Sequence, residues 1–134
     1  MGISQKWMKY GLVALFLLLV LIGTIIIPGA SSTEEVPDIA LVMKSLANEF
    51  FLTMEQEARS HNATSDVPYR LIANGIRNES DISGQVRIVE NMIAQNVDAI
   101  IIAPADSRAL IPVCEKAIRQ GIVVINIDNR FDRD

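Results

Sequence analysis

Histidine and cysteine occur once each in this chain, as His61 and Cys114. A single cysteine excludes an internal disulfide. One histidine far from one cysteine excludes a zinc site of ordinary ligand spacing and a Cys–His nucleophile pair. The chain also lacks a glycine-rich phosphate loop and a G-x-S-x-G elbow. These absences disfavour an enzyme, and no cofactor is expected. Cys114 falls in a helical apolar stripe and reads as a small buried hydrophobe; His61 sits near the end of a helical pattern and reads as solvated. Basic charge is scarce too, with 12 Lys+Arg against 16 Asp+Glu. A nucleic-acid backbone requires clustered Lys and Arg, so no nucleic-acid partner is expected.

What is abundant lies first at the N-terminus. MGISQKWMKYG carries two lysines and no acid, LVALFLLLVLIGTIII runs 16 residues without a charge, and PGASST follows. Residues 1–32 therefore read as a secretory signal peptide or a membrane anchor, the apolar run being long for a signal and short for a span of ~17–25 residues. Lys6 and Lys9 keep the N-terminus cytoplasmic in either case and place the rest outside the cytoplasm. Setting those two lysines aside leaves 10 basic against 16 acidic residues, a net charge of −6 for the exported part. TEEVPD (33–38) is a polar linker.

From residue 39 a regular alternation begins. IALVM (39–43), PYRLIANG (68–75), VDAIIIAP (97–104) and IVVINID (122–128) contain strand candidates whose continuous apolar runs fit burial on both faces. Between them, Phe51, Met54 and Ala58 mark a first helix from Phe50 to about His61. Ile82, Val86, Val89 and Ile93 mark a second, capped by Asp81 and ended by Gln95-Asn96. Leu110, Val113, Cys114, Ala117 and Ile118 mark a third, with Asp106 and Ser107 as its expected cap, Pro112 in its first turn and Gly121 at its stop. The fold class is α/β, a parallel sheet built β-α-β-α-β-α-β with helices on both faces. In such sheets ligands bind beyond the carboxyl ends of the strands at the topological switch point. The informative segments are thus KSLANEFF (44–51), NGIRNES (74–80), APADS (103–107) and DNRFD (128–132).

Beyond the leader only four aromatics remain, Phe50, Phe51, Tyr69 and Phe131, and two of them are adjacent. Either both phenylalanines pack into the core at a helix start, or one packs and the other faces the cleft. Adjacent helical residues diverge by ~100°, which favours the split. An aromatic face beside Asn48 and Lys44, with their donors and acceptor, suits a polyol's C–H surface and hydroxyls. Asp128 ends a buried strand, where an unpaired carboxylate is costly. It either caps the following turn or accepts ligand hydroxyls, and Asn129 and Arg130 extend the same rim.

IALVMKSLANEFF followed by NESDISGQVRIVENMIAQNVDAIIIAPADSRALIPVCEKAIRQGIVVINIDNRFD resembles the type I periplasmic sugar-binding proteins of the ribose, allose and galactose group, over residues 39–134. The resemblance implies that 39–134 is the incomplete N-terminal lobe of a two-lobed periplasmic-binding-protein-like I fold, preceded by the hydrophobic signal or anchor helix. It implies a monosaccharide ligand held between lobes that close on a hinge, for delivery to an ABC transporter permease or reading by a chemoreceptor or sensor. Family roles fall on Asn48, a hydroxyl partner; on Phe50 and Phe51, which sandwich the sugar ring; on Asp128, the principal hydroxyl acceptor; and on Lys44, as in the allose-binding branch. Asn129 stands where ribose binders carry an arginine, with Arg130 displaced by one, and Glu49 replaces the usual proline. The implied function is capture of a monosaccharide or similar polyol for import, or sugar sensing by a membrane-anchored receptor, with the chain exported to the periplasm or the extracytoplasmic cell surface.

Overall fold

A computed structural model describes residues 35–132; the apolar leader at 1–32 and its expected signal or anchor helix lie outside the described residues. Seven elements follow one another: β1 (Asp38–Met43), α1 (Glu49–Thr64), β2 (Arg70–Gly75), α2 (Ile82–Ala94), β3 (Ala99–Ile102), α3 (Ile111–Arg119) and β4 (Val123–Asn126). The strands form one parallel sheet in the order β2-β1-β3-β4. The linker is shorter than the sequence implies. Asp38 already belongs to β1, paired in register with Arg70, whose guanidinium also binds its carboxylate.

Alternation along β1 divides the core between the two faces of the sheet. Ala40 and Val42 point to one face, where Ile100, Ile102, Val89, Met92, Ile93, Val113, Cys114 and Ala117 bury the stripes of α2 and α3. Leu41 and Met43 point to the other, against Phe51, Met54 and Ala58 of α1. The three-and-four spacings of the helices therefore do the packing that their periodicity requires. Ile118 departs from this: it lies one step beyond Ala117, off the stripe, and is half-exposed.

Burial on both faces, expected for every strand, holds only in part. On the α1 side one helix covers β1 and β2, while Val123 and Ile125 of β4 stay exposed. Ile101 and Ile127 help line an open apolar groove of about 450 Å³ with Ile39, Leu41, Met54 and Leu71. Among the described residues no helix is long and apolar enough to cross a membrane.

Helix ends follow local chemistry. Asp81 caps α2 by accepting from the Gly84 N–H at 2.9 Å, and Gly121 closes α3 with φ +88°, a conformation that glycine adopts at no steric cost. The cap expected from Asp106 and Ser107 is displaced: α3 starts at Ile111 with Leu110 at its N-cap and no side-chain bond there. Asp106 caps the preceding turn instead, accepting from the N–H groups of Arg108 and Ala109.

Among the described residues one polar side chain sits wholly inside. Gln85 of α2 is 0% exposed; its Nε2 donates to the Ala103 carbonyl and its Oε1 accepts from the Ala105 N–H, both at 2.8 Å. It thereby fixes the loop after β3 against α2. In the full-length gene product, Gln85→Leu leaves that carbonyl and N–H without partners and is expected to cost about 2–4 kcal/mol in urea unfolding. A loss below ~0.5 kcal/mol would show that the loop holds itself.

Candidate functional site

The order β2-β1-β3-β4 creates a divergence between β1 and β3. From β1 the chain runs to β2 on one side, and from β3 it runs to β4 on the other. The loops after β1 and β3 therefore part at the carboxyl edge, where a crevice must open. The β1 loop lies flat across the end of β2: Leu46 donates its N–H to the Ile76 carbonyl at 2.8 Å, Ile76 donates back to Met43 at 3.2 Å, and the Ser45 hydroxyl reaches the Arg77 carbonyl. Gly75 permits this approach, since a Cβ there would lie 2.8 Å from the Met43 oxygen.

Lys44, the first residue after β1, is held by this loop at the edge of the crevice. Its side chain is only 11% exposed, and its Nζ lies 5.8 Å from the Phe51 ring centroid. Burying an ammonium is costly without compensating charge. Two carboxylates supply it, Asp128 at 2.8 Å and Glu79 at 3.7 Å. The shorter contact, to a side chain 28% exposed, dominates over the longer one to a half-exposed partner that water screens. Asp128 thus anchors Lys44, and among the described residues its side chain caps no turn. Its backbone sits at φ +60°, a left-handed conformation that turns the chain sharply after β4. Its second oxygen has no partner among the described residues.

The loop carrying Asp128 is built by a residue that sequence reasoning passed over. Asn126, read only as part of a strand, donates Nδ2 to the Asn129 carbonyl at 2.8 Å and accepts from the Phe131 N–H at 3.0 Å. Its polarity on an otherwise apolar strand was the available signal. Asn129 donates across to the Pro104 carbonyl at 3.3 Å, tying this loop to the one after β3. Arg108 and Asp132 add an ion pair between the same two loops. Arg130 is exposed and makes no hydrogen bond or ion pair among the described residues.

The adjacent phenylalanines diverge as their ~100° step requires. Phe51 is 2% exposed in the core and Phe50 is 57% exposed, their rings edge to face at 5.1 Å. Asn48 sits beside them as the N-cap of α1, its Oδ1 accepting from the Phe50 N–H at 2.9 Å. That bond uses the amide oxygen, and the amide N–H₂ group makes no hydrogen bond among the described residues. The structure brings Lys44 and Asp128 together and sets Phe50 and Asn48 on the adjoining helix start. It places Phe51 beneath them, Asn129 as a loop tie and Arg130 at the surface. His61, read as solvated, has its Nδ1 2.8 Å from the Tyr69 hydroxyl at the margin of the apolar groove. Apart from His61 and Tyr69 at its margin that groove is lined by apolar side chains, so the denser polar chemistry lies at the sheet edge. No cluster of three or more His, Cys, Asp or Glu suited to a metal occurs among the described residues.

Two outcomes follow from this geometry. Phe51→Ala should cost about 3–5 kcal/mol of stability, as for a buried aromatic, while Phe50→Ala should cost ~0.5 kcal/mol or less, as for a surface side chain; equal losses in denaturant melts would contradict the split. The N–H groups of Ala109 and then Arg108 bonded to Asp106 hold its carboxyl below the usual carboxylate range. Its contribution is then complete above the ordinary value of ~3.9 and is lost as pH falls through the lowered folded value. Below pH ~4 the melting temperature should therefore fall more steeply in the wild type than in Asp106→Asn. The lowered Asp38, bonded to Arg70, titrates in both proteins.

Comparison with known proteins places this fold in a family. Residues 39–134 match the family model of the periplasmic binding protein domain. The D-ribose/D-allose-binding protein of Pseudomonas aeruginosa is 60% identical over 102 residues, which are 76% of this chain and 32% of that protein. The D-allose-binding periplasmic protein of Escherichia coli is 27% identical over 78% of this chain and 33% of its own length. Among solved structures, an ABC transporter solute-binding protein from Burkholderia multivorans is 57% identical with a TM-score of 0.73, over 75% of this chain and 35% of that one. One from Actinobacillus succinogenes, with bound D-allose, is 45% identical with a TM-score of 0.67, over 72% of this chain and 33% of that one. The chain spans about a third of the length of these relatives. With nearly the whole of the chain after its linker matched, the chain belongs to the periplasmic binding protein domain family.

Proposed function

We propose that residues 39–134 form the N-terminal wall of an interlobe cleft that captures a monosaccharide or similar polyol outside the cytoplasm. The bound sugar is then delivered to the permease of an ABC importer. The observation that carries this reading is the Lys44–Asp128 pair at the switch point, 2.8 Å apart, with the second Asp128 oxygen unpaired among the described residues. A sugar hydroxyl both donates and accepts, so it can bond the free carboxylate oxygen and an ammonium proton together. Exposed Phe50 offers a ring face for the sugar's C–H surface, and the Asn48 amide offers two further donors. Phe51 acts from beneath, supporting Phe50 edge-on. The names of the relatives, which bind ribose or allose, and the D-allose bound in one related structure support a neutral aldose as the ligand. Binding without chemistry suffices for this role.

Calorimetry on the full-length gene product tests the reading. D-allose or D-ribose is expected to bind with a micromolar or tighter Kd, about −8 kcal/mol or better, and a flat titration with D-allose, D-ribose and D-galactose alike would contradict it. Asp128→Asn removes the charge from the acceptor and should weaken binding about 10–150-fold, the value of a charge-assisted bond. Asp128→Ala should in addition lower the ligand-free melting temperature, because it leaves Lys44 with only the distant Glu79.

A further inference from the structure

Glu79 entered none of the readings drawn from the sequence, since nothing in NGIRNES distinguishes it from a solvated loop acid. The structure gives it a place. It sits on the turn between β2 and α2, where Asn78 accepts from both the Ser80 N–H and hydroxyl, and Asp81 donates its N–H to the Asn78 carbonyl at 3.2 Å. The same segment is joined to the Lys44 loop by the Ser45–Arg77 contact and the Leu46–Ile76 bond. An ordered turn thus presents the Glu79 carboxylate 3.7 Å from Lys44 Nζ, on the β2 side of the sheet, with Asp128 on the β4 side.

We propose that Glu79 is a positioning residue for the ligand site, acting through Lys44; this rests on the sugar-capture reading. The reasoning concerns charge. When Asp128 turns its carboxylate to a ligand hydroxyl, it loosens its hold on an ammonium that is only 11% exposed. A second anion on the opposite side keeps that ammonium compensated and aimed at the cleft. Without Glu79, only Asp128 compensates the Lys44 ammonium, so turning that carboxylate to a ligand leaves the charge uncompensated and costs affinity. Phe51, whose ring lies under Lys44, closes the direction toward the core, so the two carboxylates define where the ammonium can point.

A double-variant cycle in the full-length gene product, titrated with D-allose and D-ribose, tests this. Glu79→Gln is expected to weaken sugar binding about 2–5-fold, the range of a charged contact that is partly exposed. Glu79→Asp should recover part of the loss. In a Lys44→Met background, Glu79→Gln should cost no further affinity. Additive losses would show that Glu79 acts without Lys44, and an unchanged affinity in the single variant would show that it has no role; either overturns the proposal. Acylation of Lys44 by acetic anhydride in sugar-free protein, followed by mass spectrometry, provides a readout independent of sugar. Glu79→Gln should speed it several-fold, and an unchanged rate overturns the proposal. If the wild type takes up no sugar at all, the capture reading fails, while the labelling rates still decide whether Glu79 holds Lys44.

Discussion

The ion pair between Lys44 and Asp128 is the contact on which the arrangement at the sheet edge depends. Lys44 follows β1 and Asp128 follows β4, with β3 lying between them in the sheet. The pair therefore spans the loop after β3 and joins segments 84 residues apart in sequence numbering. A lysine so nearly buried is tolerated only because a carboxylate meets it, and that carboxylate can be there only if the β4 loop turns back. Asn126 makes the turn through its side chain, and the left-handed backbone at Asp128 completes it. Gln85 and Asn129 fix the intervening β3 loop, through Ala103, Ala105 and Pro104, so that the bridge has a rigid floor. Stability and ligand readiness draw on the same few polar side chains.

This has a consequence for the way the site would respond to a ligand. A buried ion pair adds little net stability over an apolar substitute, but removing one partner is costly. On the proposed reading, Lys44 and Asp128 offer donors and an acceptor already oriented, which a neutral polyol can enter without bringing charge of its own. On the same reading Phe50, exposed on the first turn of α1, is the apolar complement to that polar pair. The Asn48 side chain links the two, since the bond that caps α1 also fixes where Phe50 begins the helix.

Much of the frame was legible in the residues. Continuous apolar runs marked the four strands, spacings of three and four marked the helical stripes, and the cap at Asp81 stood where the pattern put it. The ~100° turn between neighbours separated Phe50 from Phe51, one outward and one into the core. What escaped was set by tertiary contacts. Ile118 looks like a stripe residue until the short α3 fixes its rotation, and Asp106 looks like a helix cap until Pro112 at the helix start leaves the preceding turn to claim it. Gln85 lies on an apolar stripe, but nothing local announces that two backbone groups twenty residues away need its amide. Glu79 and Asn126 are polar residues in polar surroundings, and only the folded chain shows which partner each meets. The half-open apolar face beside β4 was equally hidden, because a run such as IVVINID reads the same whether one face or both are covered.

The central claim is that Lys44 and Asp128 constitute one wall of a sugar site. A crystal structure of the full-length gene product grown with D-allose tests it most directly. The account predicts a sugar oxygen within about 3 Å of the Asp128 carboxylate, the Lys44 ammonium on the same or a neighbouring hydroxyl, and Phe50 against the ring. A sugar bound elsewhere, with the Lys44–Asp128 pair still closed at 2.8 Å and untouched by ligand, would contradict it.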